Sequence, residues 1–279
     1  MVALHRFFGV AEPVFDPAHD YVTSPLFSPP VLAAIRLLLG FYTLVTLVFQ
    51  LAWNGAHYPA DLDSYFSYFT HLSYIGLCSY FFASGVQTLL YARDRQTGYP
   101  LQRWPKALQA LHVLLFATIA NFPIIVTVVF WSLLSSPDTL GTTYSAWGNI
   151  SVHALNLVFA VLEVLLTNVP PMPWIALLCN ILFLAGYLGV AYITYSTQGF
   201  YTYTFLDPVE QGPYLAAYIV GIAVGEVIIF CLMRCIIILR MRLCAKFGKT
   251  TPYYQGRSPE VEQCELNPVS PEKKGFSLV

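Results

Sequence analysis

The chain has 279 residues, of which 57% are hydrophobic and 16% aromatic, while only 10% are charged and the formal net charge is −1. A soluble domain carries about 25% charged residues, so this composition belongs to a protein that lives in a bilayer. A charge this close to zero, with no basic patch interleaved with aromatics, gives nucleic acid no footing, and no nucleic-acid partner is expected.

In chain order, the opening MVALHRFFGVAEPVFDPAHD is broken by Glu12, Pro13 and Asp16 before a signal-peptide core can build, and residues 1–30 read as a cytosolic N-terminal segment. Six apolar runs come next, at about 31–53, 65–92, 107–134, 147–166, 174–195 and 214–239, each close to the roughly 20 residues needed to cross the hydrocarbon. Arg93, Arg95, Arg103 and Lys106 lie between the second and third runs, and Arg240, Arg242, Lys246 and Lys249 come after the last. The connections 54–64, 135–146 and 196–212 contain no Lys or Arg. The bias alternates as positive-inside charge requires. The expected fold is therefore all-α: a polytopic six-transmembrane-helix bundle over residues 31–243 with both termini cytosolic. Residues 244–279, rich in Pro and Glu, read as a disordered cytosolic tail. Cys78, Cys179, Cys231, Cys235, Cys244 and Cys264 show no zinc-ligand spacing, and no disulfide framework is expected.

Polar residues inside a span need a partner or a cavity, so they mark its buried face. In the fourth run Asn149, His153, Asn156, Ala160, Glu163 and Thr167 recur at alternating steps of four and three; in the second, Thr70, Ser73, Leu77, Tyr80, Ser84 and Gln87 do the same. Each set forms a stripe on a helix, and both stripes are expected to face the bundle interior. Packing between helices accounts for Ser73, Ser84 and Thr167, but an intramembrane His and Glu are costly to hold without a use. With runs starting near Tyr65 and Trp147, Thr70 and His153 both fall about 8–10 Å below the outer boundary and can meet. A threonine hydroxyl needs a base to become a nucleophile, and an imidazole is the obvious one. Thr70 and His153 thus form a candidate acyl-transfer pair, with Asn149, Asn156 and Ser73 as polar neighbours that admit water. His71 points about 100° away and is not expected to be the same base. His112 starts the third run at the opposite side, which argues against a three-His metal site built from His71, His112 and His153; His57 in an outer connection leaves a metal open, but no metal ligand is assigned and no cofactor is expected. Glu163 is too deep to orient His153 and matches the depth of Arg36, so those two are expected to form a buried structural ion pair.

The run WGNISVHALNLVFAVLEV resembles the androgen-induced and androgen-dependent tissue-factor-pathway-inhibitor-regulating protein family through Trp147, Asn149, His153, Leu157, Phe159 and Glu163. YFTHLS resembles that family's segment around its threonine. GYLGVAYITYSTQGFYTYTFLD resembles its fifth span and the loop after it through Gly186, Tyr187, Gly199, Tyr203, Phe205 and Leu206. The resemblance implies six spans and a threonine hydrolase of fatty acid esters of hydroxy fatty acids, with Thr70 and His153 in the catalytic positions. It implies a lipid substrate drawn from the bilayer and residence in the endoplasmic reticulum or plasma membrane. Where family members carry a His pair before the loop glycine, this chain has Tyr195 and Ser196.

Two other classes compete. A non-catalytic membrane protein that binds lipid or organises partners would use the same stripes for packing. A transporter would use Glu226 in the sixth run and Asn121 beside Pro123 in the third, but no internal repeat supports it, and Ala217, Gly221 and Gly225 at four-residue spacing suit close helix packing.

Overall fold

The computed structural model describes residues 4–10 and 14–247. Most of the expected tail, together with Cys264, lies outside the described residues, although residues 244–246 continue the last helix. Six helices are long and apolar enough to span a membrane: α1 Pro29–His57, α2 Phe69–Arg93, α3 Lys106–Leu134, α4 Thr143–Leu166, α5 Trp174–Gln198 and α6 Tyr214–Lys246. No strand occurs among the described residues. The all-α, six-span expectation is met.

Local chemistry sets the ends. Ser28 leads into Pro29 and Pro30 at the first positions of α1, where a missing amide hydrogen costs nothing and the fixed φ suits a helix. Helix α4 begins four residues earlier than the apolar pattern suggests. Thr142 accepts the Ser145 amide at 3.0 Å while Ser145 Oγ accepts the Thr142 amide at 3.2 Å, a reciprocal cap that polar residues provide without adding hydropathy. Helix α2 begins four residues later than expected. The apolar run from Tyr65 first forms a short turn, Tyr65–Ser67, and Tyr68 is extended at φ −92° and ψ 131° before the helix starts.

Helices α1 and α2 run antiparallel in close contact. Two glycines permit the approach: a Cβ on Gly85 would come 2.9 Å from Leu37 Cδ2, and one on Gly40 would come 3.3 Å from Phe82. Such small residues let backbones pack where no hydrophobic effect drives helices together. Helix α3 touches α2, α4, α5 and α6. In its most apolar stretch 61% of residues are buried, against 17% in α5 and 22% in α6, so α3 is the central helix and α5 and α6 face lipid. At the end where α1 starts, the N-terminal segment packs onto the bundle. Asp16 accepts the amides of Asp20 and Tyr21 at 2.8 and 3.1 Å and the Tyr99 hydroxyl at 2.6 Å.

Two turns of π-helix interrupt the spans, Phe130–Leu134 in α3 and Ser151–Leu155 in α4. Each widens one turn by a residue and rotates the helix beyond it. The expected polar stripe of α4 is therefore not a single wall. Its first half, Asn149 and His153, turns to one cavity, whereas Asn156 turns to α3 and Glu163 to α1 and α2.

Candidate active site

Thr70 occupies the second position of α2, nearer the helix mouth than its expected depth. His153 lies ten residues into α4, inside the π-turn. The two nevertheless face one cavity. Both line a polar chamber of about 410 Å³ together with Gln50, Asn54, Asn149 and Thr202. Among the described residues no Lys, Arg, Asp or Glu lines it. On the other side of Thr70 lies an apolar chamber of about 300 Å³, walled by Ile125 and Val129 of α3, Leu184 of α5 and Ile222 of α6. Thr70, Phe130, Leu134 and Tyr203 border both chambers.

The imidazole of His153 is clamped rather than hydrogen-bonded. Its ring stacks face to face on Phe130, with centroids 3.6 Å apart and planes at 4°. Its carbonyl, released from regular helical bonding by the π-turn, accepts the Trp131 indole N–H at 3.0 Å. The facing π-turns of α3 and α4 thereby lock each other. Its Nδ1 is buried and has no hydrogen-bond partner among the described residues, so no carboxylate orients the ring.

The loop after α5 closes the site. Gly199 ends that helix in the left-handed region at φ 79°, its amide bonded to the Tyr195 carbonyl at 2.9 Å, a conformation glycine takes without strain. The chain then returns over the chambers. The Tyr187 hydroxyl donates to the Ser67 carbonyl at 3.0 Å and pairs with Thr202 Oγ1 at 3.0 Å. Tyr203 lines both chambers with Thr70 and meets Tyr68 edge-on at 5.8 Å. Burial holds its phenol above the ordinary value, so it stays a neutral O–H. The His71 and Leu72 amides donate to the Tyr68 carbonyl at 3.1 and 3.2 Å, which leaves the Phe69 and Thr70 amides as the donors of the first turn without an intrahelical acceptor.

Other expected site residues lie elsewhere. Ser73 donates to the Thr70 carbonyl at 3.0 Å and lines a separate groove with Thr118 and Phe183, since a step of three residues carries it round the helix away from the polar chamber. Asn156 Oδ1 accepts from Thr127 Oγ1 at 3.2 Å and from the Leu157 amide at 2.7 Å. Its Nδ2 donates to the Pro123 carbonyl at 3.4 Å, so it braces α3 and does not line the chamber. Trp147 packs edge-on against Phe49 of α1 at 5.3 Å and borders neither chamber. Asn149 lines the polar chamber and donates to the Thr139 carbonyl at 2.7 Å. Its N-x-S pattern runs into Ser151, which is fully buried against the Tyr42 hydroxyl.

The structure pairs Arg36 with Glu163. The guanidinium reaches both carboxylate oxygens, at 2.5 and 3.2 Å, and also donates to Thr88 Oγ1 at 2.6 Å and the Tyr21 carbonyl at 2.8 Å. The Tyr80 hydroxyl donates to the same carboxylate at 2.7 Å. Of the groups a transporter would use, Asn121 turns its amide onto the Ala117 carbonyl and Met172, and Glu226 accepts from Asn180 at 2.8 Å. Tyr195 and Ser196 border neither chamber; Tyr195 stacks on Tyr201 at 4.2 Å.

The model of one family, described as FAR-17a/AIG1-like protein, matches residues 35–236. The chain belongs to the FAR-17a/AIG1-like family. This is the androgen-induced family that the sequence motifs resemble, and the matched range takes in both chambers. No curated protein and no solved structure matches the chain. Within this family member, sequence reasoning set His71 aside by its direction and missed Tyr65 and Gln50, all three on the polar chamber. Tyr203 it noted only as part of the resemblance. For Tyr203 the available signal was the aromatic content of the connection 196–212, which positive-inside counting reads only as orientation.

Proposed function

We propose that this family member is an intramembrane hydrolase that cleaves fatty acid esters of hydroxy fatty acids, with Thr70 as nucleophile and His153 as its base. The observation that carries this reading is the position of Thr70 at the seam of an apolar and a polar chamber. An ester with a long chain in the apolar chamber presents its carbonyl at the seam, and water reaches the carbonyl from the polar side. Thr70 Oγ adds to the carbonyl carbon and passes its proton to His153. The bond to the alcohol oxygen then breaks, and that proton leaves with the alcohol. Water releases the acid and restores the Thr70 hydroxyl. This reading assigns the developing oxyanion to the Tyr203 phenol and the Phe69 and Thr70 amides of α2 as donors. Phe130 fixes the imidazole in place of an orienting carboxylate. The substrate enters sideways from the bilayer, both termini face the cytosol, and the membrane is the endoplasmic reticulum or plasma membrane.

The test is fluorophosphonate labelling of membranes, with ester hydrolysis measured in parallel. Thr70→Ala abolishes labelling, and Thr70→Ser keeps part of the activity. Labelling and hydrolysis by Thr70→Ala at the parental level would return the site to the competing reading, a non-catalytic lipid-binding membrane protein.

A further inference from the structure

Two imidazoles face the polar chamber. His71 lines it together with Thr70 and His153. Its position is built, not incidental. The ring stacks on Tyr65 with centroids 3.8 Å apart and planes at 20°, and meets Tyr68 edge-on at 6.1 Å. Tyr65 is held in turn by donating its hydroxyl to Gln50 Oε1 at 2.9 Å. Gln50 sits so close to α4 that a Cβ on Gly148 would come 3.1 Å from its Nε2. The Nδ1 of His71 is buried without a hydrogen-bond partner among the described residues. A histidine kept only for packing would be expected to satisfy that nitrogen or to be replaced by an apolar ring.

Hydrolysis through an acyl-threonine needs a base twice. The first takes the Thr70 proton as the acyl–Thr70 bond forms. The second takes a proton from water as the water oxygen attacks the acyl carbon. His153 is fixed by Phe130 on the wall that also borders the apolar chamber. His71, like His153, borders only the polar chamber, but its ring rests on Tyr65, which does not line the apolar chamber, whereas Phe130 under His153 does. We infer that His71 is the base of the second half-reaction. This inference rests on the assignment of Thr70 as nucleophile. In that step a water O–H bond breaks and its proton goes to the unprotonated nitrogen of His71. The water oxygen bonds to the acyl carbon, the bond to Thr70 Oγ breaks, and the proton is passed back to Thr70 Oγ, so that the free acid leaves and no other reactant is consumed.

The experiment uses the full chain in lipid nanodiscs with a p-nitrophenyl ester of a medium-chain fatty acid, monitored by stopped-flow absorbance and intact-mass spectrometry. His71→Asn and His71→Phe, the latter keeping a ring against Tyr65, are expected to retain a burst of one nitrophenol per chain. Their steady-state rate falls by about 100-fold, the scale of a lost general base, and the acyl adduct on Thr70 accumulates. Hydroxylamine, a nucleophile that needs no base at neutral pH, restores turnover to both variants but not to His153→Ala. The inference is overturned if His71→Asn turns over at the parental rate, if burst and steady state fall in equal proportion, or if hydroxylamine restores nothing. Thr70→Ala separates the two readings. A burst and adduct that survive in it sink the nucleophile assignment itself, whereas their loss in Thr70→Ala alongside an unaffected His71→Asn sinks only the second base.

Discussion

Replacing Glu163 by Gln keeps the shape of the side chain and removes only its charge. The Arg36 side chain is 0% exposed and its partner 2%, so the guanidinium has no route to water and does not snorkel to the interface. Its remaining partners, the Thr88 hydroxyl and the Tyr21 carbonyl, are neutral and cannot replace a carboxylate that accepts from it twice. Leaving a buried charge without its counter-charge costs about 3–5 kcal/mol, roughly a fifth or more of a typical total stability of about 5–15 kcal/mol. For a chain of this size that corresponds to a loss of about 6–20 °C in melting temperature. The assay is thermal unfolding in detergent micelles, monitored by circular dichroism and size-exclusion chromatography. Tyr80→Phe, which removes one hydrogen bond to the same carboxylate, costs less, about 1.5–3 kcal/mol. Changing Arg36 and Glu163 together to Met recovers much of the single loss, because two apolar groups leave no charge stranded. If Glu163→Gln melts within about 2 °C of the parent, the pair does not hold the bundle and the energetics assigned to it are wrong.

Asp20 gives a pH dependence at the end of the bundle where the N-terminal segment packs. Burial chiefly, and the charge of Asp16 next, push its carboxyl from 3.8 up to about 8, against the opposing charge of Arg240. The folded chain therefore keeps a proton that the unfolded chain gives up. The associated stability is full below pH 3.8 and is lost as pH rises toward 8. Asp20→Asn should flatten that profile and stabilise the protein at pH 8 by a few kcal/mol, since each tenfold change in proton affinity is worth about 1.4 kcal/mol; parallel melting profiles for parent and variant between pH 5 and 8 would refute this. Gly85→Val drives a branched side chain into Leu37 and the Arg36 Cβ, 3.3 Å from the Cβ position, and should cost about 1–3 kcal/mol; unchanged unfolding would mean that α1 and α2 are free to separate. In ester hydrolysis, Thr70→Ala and His153→Ala should each lower kcat/KM by at least about 100-fold, and the double variant should lose little more than the worse single. Losses that multiply would show two independent roles.

The sequence alone determined the number of spans and their chemistry, because membrane crossing is a local property: about 20 apolar residues suffice whatever their neighbours do. It also brought Arg36 and Glu163 to one depth, since depth comes from helical rise and charge is rare enough in a bilayer to need a partner. The facing of side chains was not local. A uniform period of 3.6 makes Asn149, His153, Asn156 and Glu163 one stripe, but the π-turn at Ser151–Leu155 adds a residue and sends its two ends to different neighbours. That turn is held by Trp131 and Phe130 reaching from the opposing π-turn of α3. The Trp131 bond to His153 joins residues 22 positions apart, across a connection that helical periodicity does not span. The start of α2 was decided in the same way. Tyr65 bonds Gln50 of α1 instead of continuing a helix. The first turn of α2 therefore stands free of its preceding run, which brings Thr70, His71 and His153 to the edge of a single chamber.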